Sequence, residues 1–391
     1  MSGIMTDIRN PFRRLALSLD DPFCDRVREL KELERHAFNG ASVVLFSPRR
    51  YGKTSLVRRV QKALEERAYT FSADFFQLSS LNDLATRLAL GVYKGLRRHE
   101  NFLDRGLKAI PRIFRSFRPA LKLGEPDGVE FTVAIERGKQ GFDLLTETLE
   151  DLAGFVAKAD RPVHLALDEF QDIMELGEPR IEAAFRSFIQ EQRVSVFFVG
   201  SRRRVLLSIF NDKSRPFWQS SIMYQLQALP RENLVPYLVG LFGRCGKTCP
   251  DDVAGALADR VLQHPYYAQA LGYWAFEVSA DAVNEADLDL GFKSMLEAER
   301  YAYEAQLEGL SRGQRAMLTA LAVEETATPT AGDYMARHGL TVGGVQSALK
   351  RLFELDLVQR GETGEEAESS PLRVVDPVFR VWLARRVPAI T

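Results

Sequence analysis

Apolar residues fall into short unbroken runs at 42–46, 163–167 and 194–200, each enriched in β-branched and aromatic side chains. A run that is apolar on both faces and too short for a buried helix predicts a parallel strand inside a sheet. Weaker runs at 69–76 and 222–226 bring the expected sheet to five strands. Between them apolar residues recur three and four apart, as at 56–63 and 144–155, which is the spacing of an amphipathic helix. Strand alternating with helix predicts an α/β core. Beyond residue 229 the strand pattern stops, and 231–242, 251–262, 267–278 and 286–307 read as helices of a lid subdomain. Near 311 a further unit begins. Helical segments at 314–323, 332–338 and 342–357 precede two extended runs, 358–360 and 372–375, that bracket a polar Gly/Glu loop. Three helices followed by a β-hairpin predict a winged helix-turn-helix. The expected organisation is a core over 1–229, a lid over 230–309 and a winged helix over 310–391.

Residues 94–140 interrupt the alternation and read as an insertion into the core. Between 94 and 122 nine Lys or Arg stand against two acids, a local excess in a chain whose 52 basic and 53 acidic residues otherwise balance. Net charge of −1 gives no whole-molecule attraction to nucleic acid or membrane, so any such binding rests on a local patch. Two extended runs around Pro126-Asp127-Gly128 predict a β-hairpin within the insertion. Three cysteines, Cys24, Cys245 and Cys249, cannot form a paired disulfide framework and lack the partners of a zinc site. With no signal-peptide pattern and no apolar run of membrane-spanning length, the sequence predicts a cytoplasmic protein that does not enter a membrane.

The chemistry concentrates after the first strand. Ser47, Pro48, Arg49, Arg50, Tyr51, Gly52, Lys53, Thr54 and Ser55 match the phosphate-binding pattern Gly-x-x-x-x-Gly-Lys-Ser/Thr, with Ser47 in the first glycine's place, and lie between a strand and a helix. Such a loop turns its backbone N–H groups, and the positive end of the helix that follows, towards phosphate. Gly52 permits the close approach, Lys53 reaches the β- and γ-phosphates, and the Thr54 hydroxyl ligates Mg²⁺. A second Gly-Lys-Thr at 246–248 has no strand before it and runs into Cys249-Pro250, so it reads as coincidence. The strand at 163–167 ends in Asp168-Glu169, which places a metal-shell carboxylate and a candidate general base side by side and predicts hydrolysis of the bound nucleotide rather than mere binding. His164 on the same strand reads as a core residue. Ser201, at the tip of the next strand, is a candidate γ-phosphate sensor, and Arg202, ahead of Arg203 and Arg204, a candidate source of transition-state charge, with Arg215 beside them. His264-Pro265 breaks one helix and opens another, in position to pack on an adenine ring.

Together these motifs resemble the archaeal-type ATPase family of the AAA+ superfamily, in its STAND-related branch. The resemblance begins at Asp21-Pro-Phe-Cys-Asp-Arg26-Val-Arg-Glu29-Leu30, similar to the motif that leads into the family's nucleotide site, and gives Arg26 a place there. It continues in family order through Leu167-Asp-Glu-Phe-Gln171, Val199-Gly-Ser201, Ser214-Arg-Pro-Phe217 and His264-Pro-Tyr-Tyr267, and closes on Val374-Val-Asp-Pro-Val-Phe-Arg-Val-Trp-Leu383. Gln263 stands where the family has glycine. The resemblance implies a five-stranded AAA+ core with a helical lid and a winged helix.

Three functions follow as expectations. The first is an ATP-hydrolysing switch whose ATP or ADP state controls conformation or assembly, slow in turnover and regulated by a protein partner or by homo-oligomerisation. The second is an ATP-dependent binder of duplex DNA acting through 94–122 or the winged helix. The winged-helix unit carries ten basic and ten acidic residues, and its wing holds Glu362, Glu365, Glu366 and Glu368, which repel phosphate. Its expected recognition face, Gly343, Gly344, Gln346, Ser347 and Lys350, carries little charge. The third is a nucleotide-stabilised scaffold without turnover.

Overall fold

The structure is a computed structural model that describes residues 9–13, 17–99, 112–124, 128–136, 138–361 and 370–386. The chain divides into two compact units, one of residues 26–49 and 53–226, the other of 1–25, 50–52 and 227–391.

The first unit follows the expected alternation: α1 (Val27–Phe38), β1 (Val43–Phe46), α2 (Lys53–Leu64), β2 (Tyr69–Asp74), α3 (Leu81–His99), β3 (Phe117–Gly124), β4 (Gly128–Ile135), α4 (Gly141–Val156), β5 (Val163–Asp168), α5 (Arg180–Glu191), β6 (Val194–Gly200), α6 (Arg203–Asn211) and β7 (Ile222–Gln225). All five expected core strands form one parallel sheet of order β2-β5-β6-β1-β7. β1 and β6 are buried along their whole length, as runs apolar on both faces require. Phe170, Phe198, Phe210 and Phe217 form an aromatic cluster of edge-to-face and tilted rings.

β2 lies at the sheet edge, and α3 packs onto it through Gly91 and Gly95, one turn apart on a single helix face. A Cβ at Gly91 would fall 2.2 Å from the Ser72 carbonyl oxygen, and one at Gly95 2.6 Å from that of Thr70. Glycine is what lets the helix backbone reach the strand. The expected hairpin is present as the antiparallel pair β3–β4, although its turn at 125–127 lies outside the described residues.

His164 is buried in the sheet, as expected. Ser195 Oγ donates to the Ala41 carbonyl at 2.6 Å, so the imidazole Nδ1, 3.3 Å from that oxygen, carries the hydrogen and donates to it. Nε2 has no partner, and burial pushes the imidazole down to about 3. The fold therefore holds His164 neutral, whereas the unfolded chain protonates it near its ordinary value of about 6.5. Its contribution is full above that value and is lost as pH falls from there towards 3, at about 1.4 kcal/mol per pH unit. Urea midpoints at pH 7 and pH 4.5 should show this acid-side loss in the wild type and a shallower one in His164→Leu. Equal losses would count against the neutral assignment.

The second unit contains α7 (Arg231–Arg244), α8 (Asp251–Arg260), α9 (Pro265–Val278), α10 (Glu285–Glu308), α11 (Arg312–Val323), α12 (Gly332–His338), α13 (Val342–Glu354), β8 (Val358–Arg360), β9 (Leu372–Val374) and α14 (Pro377–Ala384). α8 stops two residues short of expectation because Leu262 and Gln263 both take left-handed backbone, φ 51° and 53°. Gln263 thus occupies a conformation that suits the glycine of the resembling family. Pro265 opens α9 at its first turn, where a missing N–H costs nothing. Ser311 and Gln314 form a capping box at the head of α11, and Asn284 and Asp287 form another on α10. α11, α12, α13 and the β8–β9 hairpin make the winged helix; α14, not named from periodicity, follows its wing. Gly343, Gly344, Gln346, Ser347 and Lys350 are exposed on α13, as expected for its outer face. The acidic wing residues lie outside the described residues.

Candidate active site

β1 delivers the chain to Ser47 at the C-terminal edge of the sheet, and α2 starts at Lys53. Ser47 is buried and keeps ordinary backbone, so the first position of this loop does not need a glycine. The left-handed positions are Arg50 and Gly52, with φ 64° and 87°. Lys53 is 6 % exposed and its Nζ donates to the carbonyls of Ser47 and Pro48 at 2.9 and 3.0 Å, with Ser47 Oγ at 3.4 Å. The ammonium is thereby drawn across the loop.

Asp168 ends β5 two strands away from β1, and Thr54 Oγ1 donates to its Oδ2 at 2.6 Å. Burial pushes the Asp168 carboxyl up, opposed by the Thr54 hydrogen bond, while repulsion from Glu169 and Asp74 adds to the rise. Two hard oxygen donors, one anionic, brought within hydrogen-bond distance at the mouth of a phosphate loop fit a magnesium ion. A cleft of about 300 Å³ opens beside them, lined by Thr54, Asp74, Asp168, Arg58 and Lys94 among others.

Glu169 sits in left-handed backbone, φ 48°, where the strand turns into a short 3₁₀ helix, Phe170–Leu176. For a non-glycine residue this conformation is costly and aims the side chain away from the strand axis. Its Oε2 accepts from Ser201 Oγ at 3.0 Å and from Gln171 Nε2 at 2.5 Å. The fold thus joins the expected base to the expected sensor across β5 and β6. Gln171 was given no role by sequence reasoning. It is buried, and Gly200 makes room for it: a Cβ there would meet Gln171 Oε1 at 2.0 Å. The left-handed turn that brings Gln171 back beneath Glu169 leaves no mark in the sequence pattern.

The arginines separate. Arg202 pairs with Glu175 at 2.6 Å, Arg215 pairs with the buried Glu182, and Arg203 extends over the Phe46 ring, 6.0 Å from its centroid, at the foot of the loop. Arg26 caps the start of α1 from left-handed backbone, is 3 % exposed and pairs with Glu29 at 2.7 Å. In the second unit, Tyr51 meets His264 edge to face at 4.6 Å, and His264 in turn lies against Tyr267 at 4.7 Å. Arg49 and Ser55 flank the loop without a role assigned by contacts. In the basic insertion, Arg112 and Arg118 both pair with Glu136, and Arg115 pairs with Asp151 and Glu150. Residues 100–111 of that stretch lie outside the described residues.

Residues 23–199 match the family described as AAA ATPase domain, and residues 301–385 match one described as probable winged helix domain. The chain carries an AAA ATPase domain followed by a C-terminal winged helix. The matched segment of the AAA ATPase domain runs from the Arg26 motif through the phosphate loop and Asp168-Glu169 to the end of β6. The fold is similar to that of a Walker-type ATPase of Pyrococcus abyssi, at TM-score 0.65 and 17 % identity, covering 95 % of this chain and 99 % of that one. It is also similar to the ORC2 protein of Aeropyrum pernix, solved as ADPNP–ADP complexes, at TM-score 0.57 and 15 % identity over 96 % and 97 %. No curated protein matches the chain in sequence. Among the described residues no helix is long and apolar enough to cross a membrane.

Proposed function

We propose that the chain is a nucleotide-controlled switch of the STAND-like type, which binds ATP with Mg²⁺ and hydrolyses it slowly to ADP and phosphate. The observation that carries this reading is the pair of contacts joining Thr54 to Asp168 and Glu169 to Ser201, because they assemble a metal seat and a positioned base from α2 and the ends of two strands, β5 and β6. Thr54 and Asp168 would hold a magnesium ion, which would supply neutralisation of phosphate charge. Lys53 adds a fixed cation, and the loop's backbone N–H groups hold the phosphates. Glu169 accepts a proton from water as its oxygen bonds to the γ-phosphorus, and the bond to the β–γ bridging oxygen breaks, leaving ADP. Ser201 and Gln171 hold the Glu169 carboxylate in the orientation this transfer requires. Arg202 contributes only on leaving Glu175.

Coupling to duplex DNA is the second reading, and the described contacts favour it less. Arg112 and Arg118 share Glu136 and Arg115 pairs with Asp151 and Glu150, so three carboxylates offset the three cations at close range. The exposed basic residues of α13 are Lys350 and Arg351, and Arg351 pairs with Glu354 at 3.1 Å. Phosphate release by the full chain, with and without duplex DNA at moderate salt and with Lys53→Ala as the blank, separates the readings. Slow turnover indifferent to DNA is expected, calling for a protein partner or self-assembly as the regulator. A several-fold rise with DNA would favour the second reading, and wild-type turnover equal to the blank would leave only a non-hydrolysing scaffold.

A further inference from the structure

The side-chain amide of Gln171 is oriented by two carboxylates at once. Its Nε2 donates to Glu169 Oε2 at 2.5 Å and to Asp172 Oδ1 at 3.2 Å, while its Oε1 is buried without a partner and lies towards Gly200. An amide nitrogen carries two hydrogens and an amide oxygen none. Turned over, Gln171 would aim that oxygen at both carboxylates and leave its two donors facing Gly200, so the arrangement seen is the one that uses both hydrogens.

Glu169 is the proposed base, whereas Asp172 takes no step in the proposed reaction. Asp172 lies half-buried in the first turn of the 3₁₀ helix, and its other oxygen, Oδ2, accepts from the backbone N–H of Gln77 at 2.9 Å. Gln77 belongs to the loop between β2 and α3 and takes left-handed backbone, φ 53°. Arg87 on α3 also holds that loop: Nη1 donates to the carbonyls of Phe76 at 2.6 Å and Asp74 at 3.2 Å, and Nε pairs with Asp83 at 2.9 Å. Asp172 thus has one oxygen fixed by an anchored loop and offers the other to Gln171. A carboxylate can do both, but asparagine cannot, because it has one acceptor oxygen and its NH₂ group would face a donor. All these residues fall within one compact unit.

We propose that Asp172 is a positioning residue for ATP hydrolysis, fixing the Gln171 amide and through it the Glu169 carboxylate, with its own place set by the loop after β2. It acts through Gln171 and touches no substrate. The inference rests on the hydrolysis reading above, and it names the contact that keeps the base aligned.

The test is a double-mutant cycle in steady-state ATP turnover by the full chain, with Asp172→Asn, Gln171→Met and the two combined, and a titration of every chain with a fluorescent ATP analogue. Asp172→Asn should lower kcat about ten-fold and leave KM for Mg-ATP and the affinity for the analogue within about two-fold. Gln171→Met should lower kcat at least as far. On that background Asp172→Asn should change kcat by less than about two-fold, because its route to Glu169 is already gone. Losses that multiply in the combined variant would overturn the positioning role. So would an Asp172→Asn chain with wild-type kcat, or one that no longer binds the analogue. Wild-type turnover no greater than that of Lys53→Ala would overturn the hydrolysis reading and this inference with it, whereas turnover that falls in Glu169→Gln but not in Asp172→Asn overturns the inference alone.

Discussion

Replacing Glu169 by Gln should reduce steady-state ATP turnover about 10²- to 10³-fold while leaving nucleotide affinity within a few-fold of wild type. The amide keeps the size of the side chain and can still accept from Ser201 and Gln171, which hold the carboxylate in the wild type at 3.0 and 2.5 Å. What it loses is the capacity to take a proton from water. A loss of 10²–10³ corresponds to about 2.7–4 kcal/mol of transition-state stabilisation, the scale of a positioned general base. Phosphate release under saturating Mg-ATP measures it. A change of less than ten-fold would mean that Glu169 does not act as the base, and a parallel loss of affinity would mean that the substitution has damaged the loop.

The largest expected effect on stability lies elsewhere, at Gly91. Alanine there places a methyl carbon 2.2 Å from the Ser72 carbonyl oxygen and 3.3 Å from the Ala73 Cα. Both obstacles are backbone of β2, so no side chain can rotate out of the way and α3 must lift from the sheet edge. Overpacking of this kind costs about 2–3 kcal/mol. Gly154→Ala on α4 is the control, because nothing lies within 4 Å of its added carbon, and the substitution should gain about 0.5–1 kcal/mol from helix propensity. Urea denaturation followed by circular dichroism compares the two. Gly91→Ala as stable as wild type would show that α3 does not depend on this close approach.

Much of this was legible in the sequence, for definite reasons. The three central strands were readable because such strands must be apolar on both faces, and β1 and β6 are buried at every position, whereas the edge strands β2 and β7 are partly exposed and left only weaker runs. Lys53, Thr54 and Asp168 were readable because their chemistry fixes residue type and position after a strand, and Thr54 and Asp168, 114 residues apart, do meet. What was not legible depends on contacts between distant residues or on backbone sign. The positive count over 94–122 said nothing of Glu136, Glu150 and Asp151, which pair with Arg112, Arg115 and Arg118 from later in the chain. Gln171 carried no signal because its role follows from the left-handed turn at Glu169 and the space left by Gly200. Arg50 looked like one more basic loop residue until its partners, Tyr266 and Glu299, were brought to it by the fold.

The most direct test of the central claim, that this site hydrolyses ATP through Glu169, is the identity of the nucleotide held after incubation with Mg-ATP and rapid gel filtration. The account predicts ADP on the wild-type chain, ATP on Glu169→Gln, and no nucleotide on Lys53→Ala. ADP recovered equally from the wild type and from Glu169→Gln would contradict it.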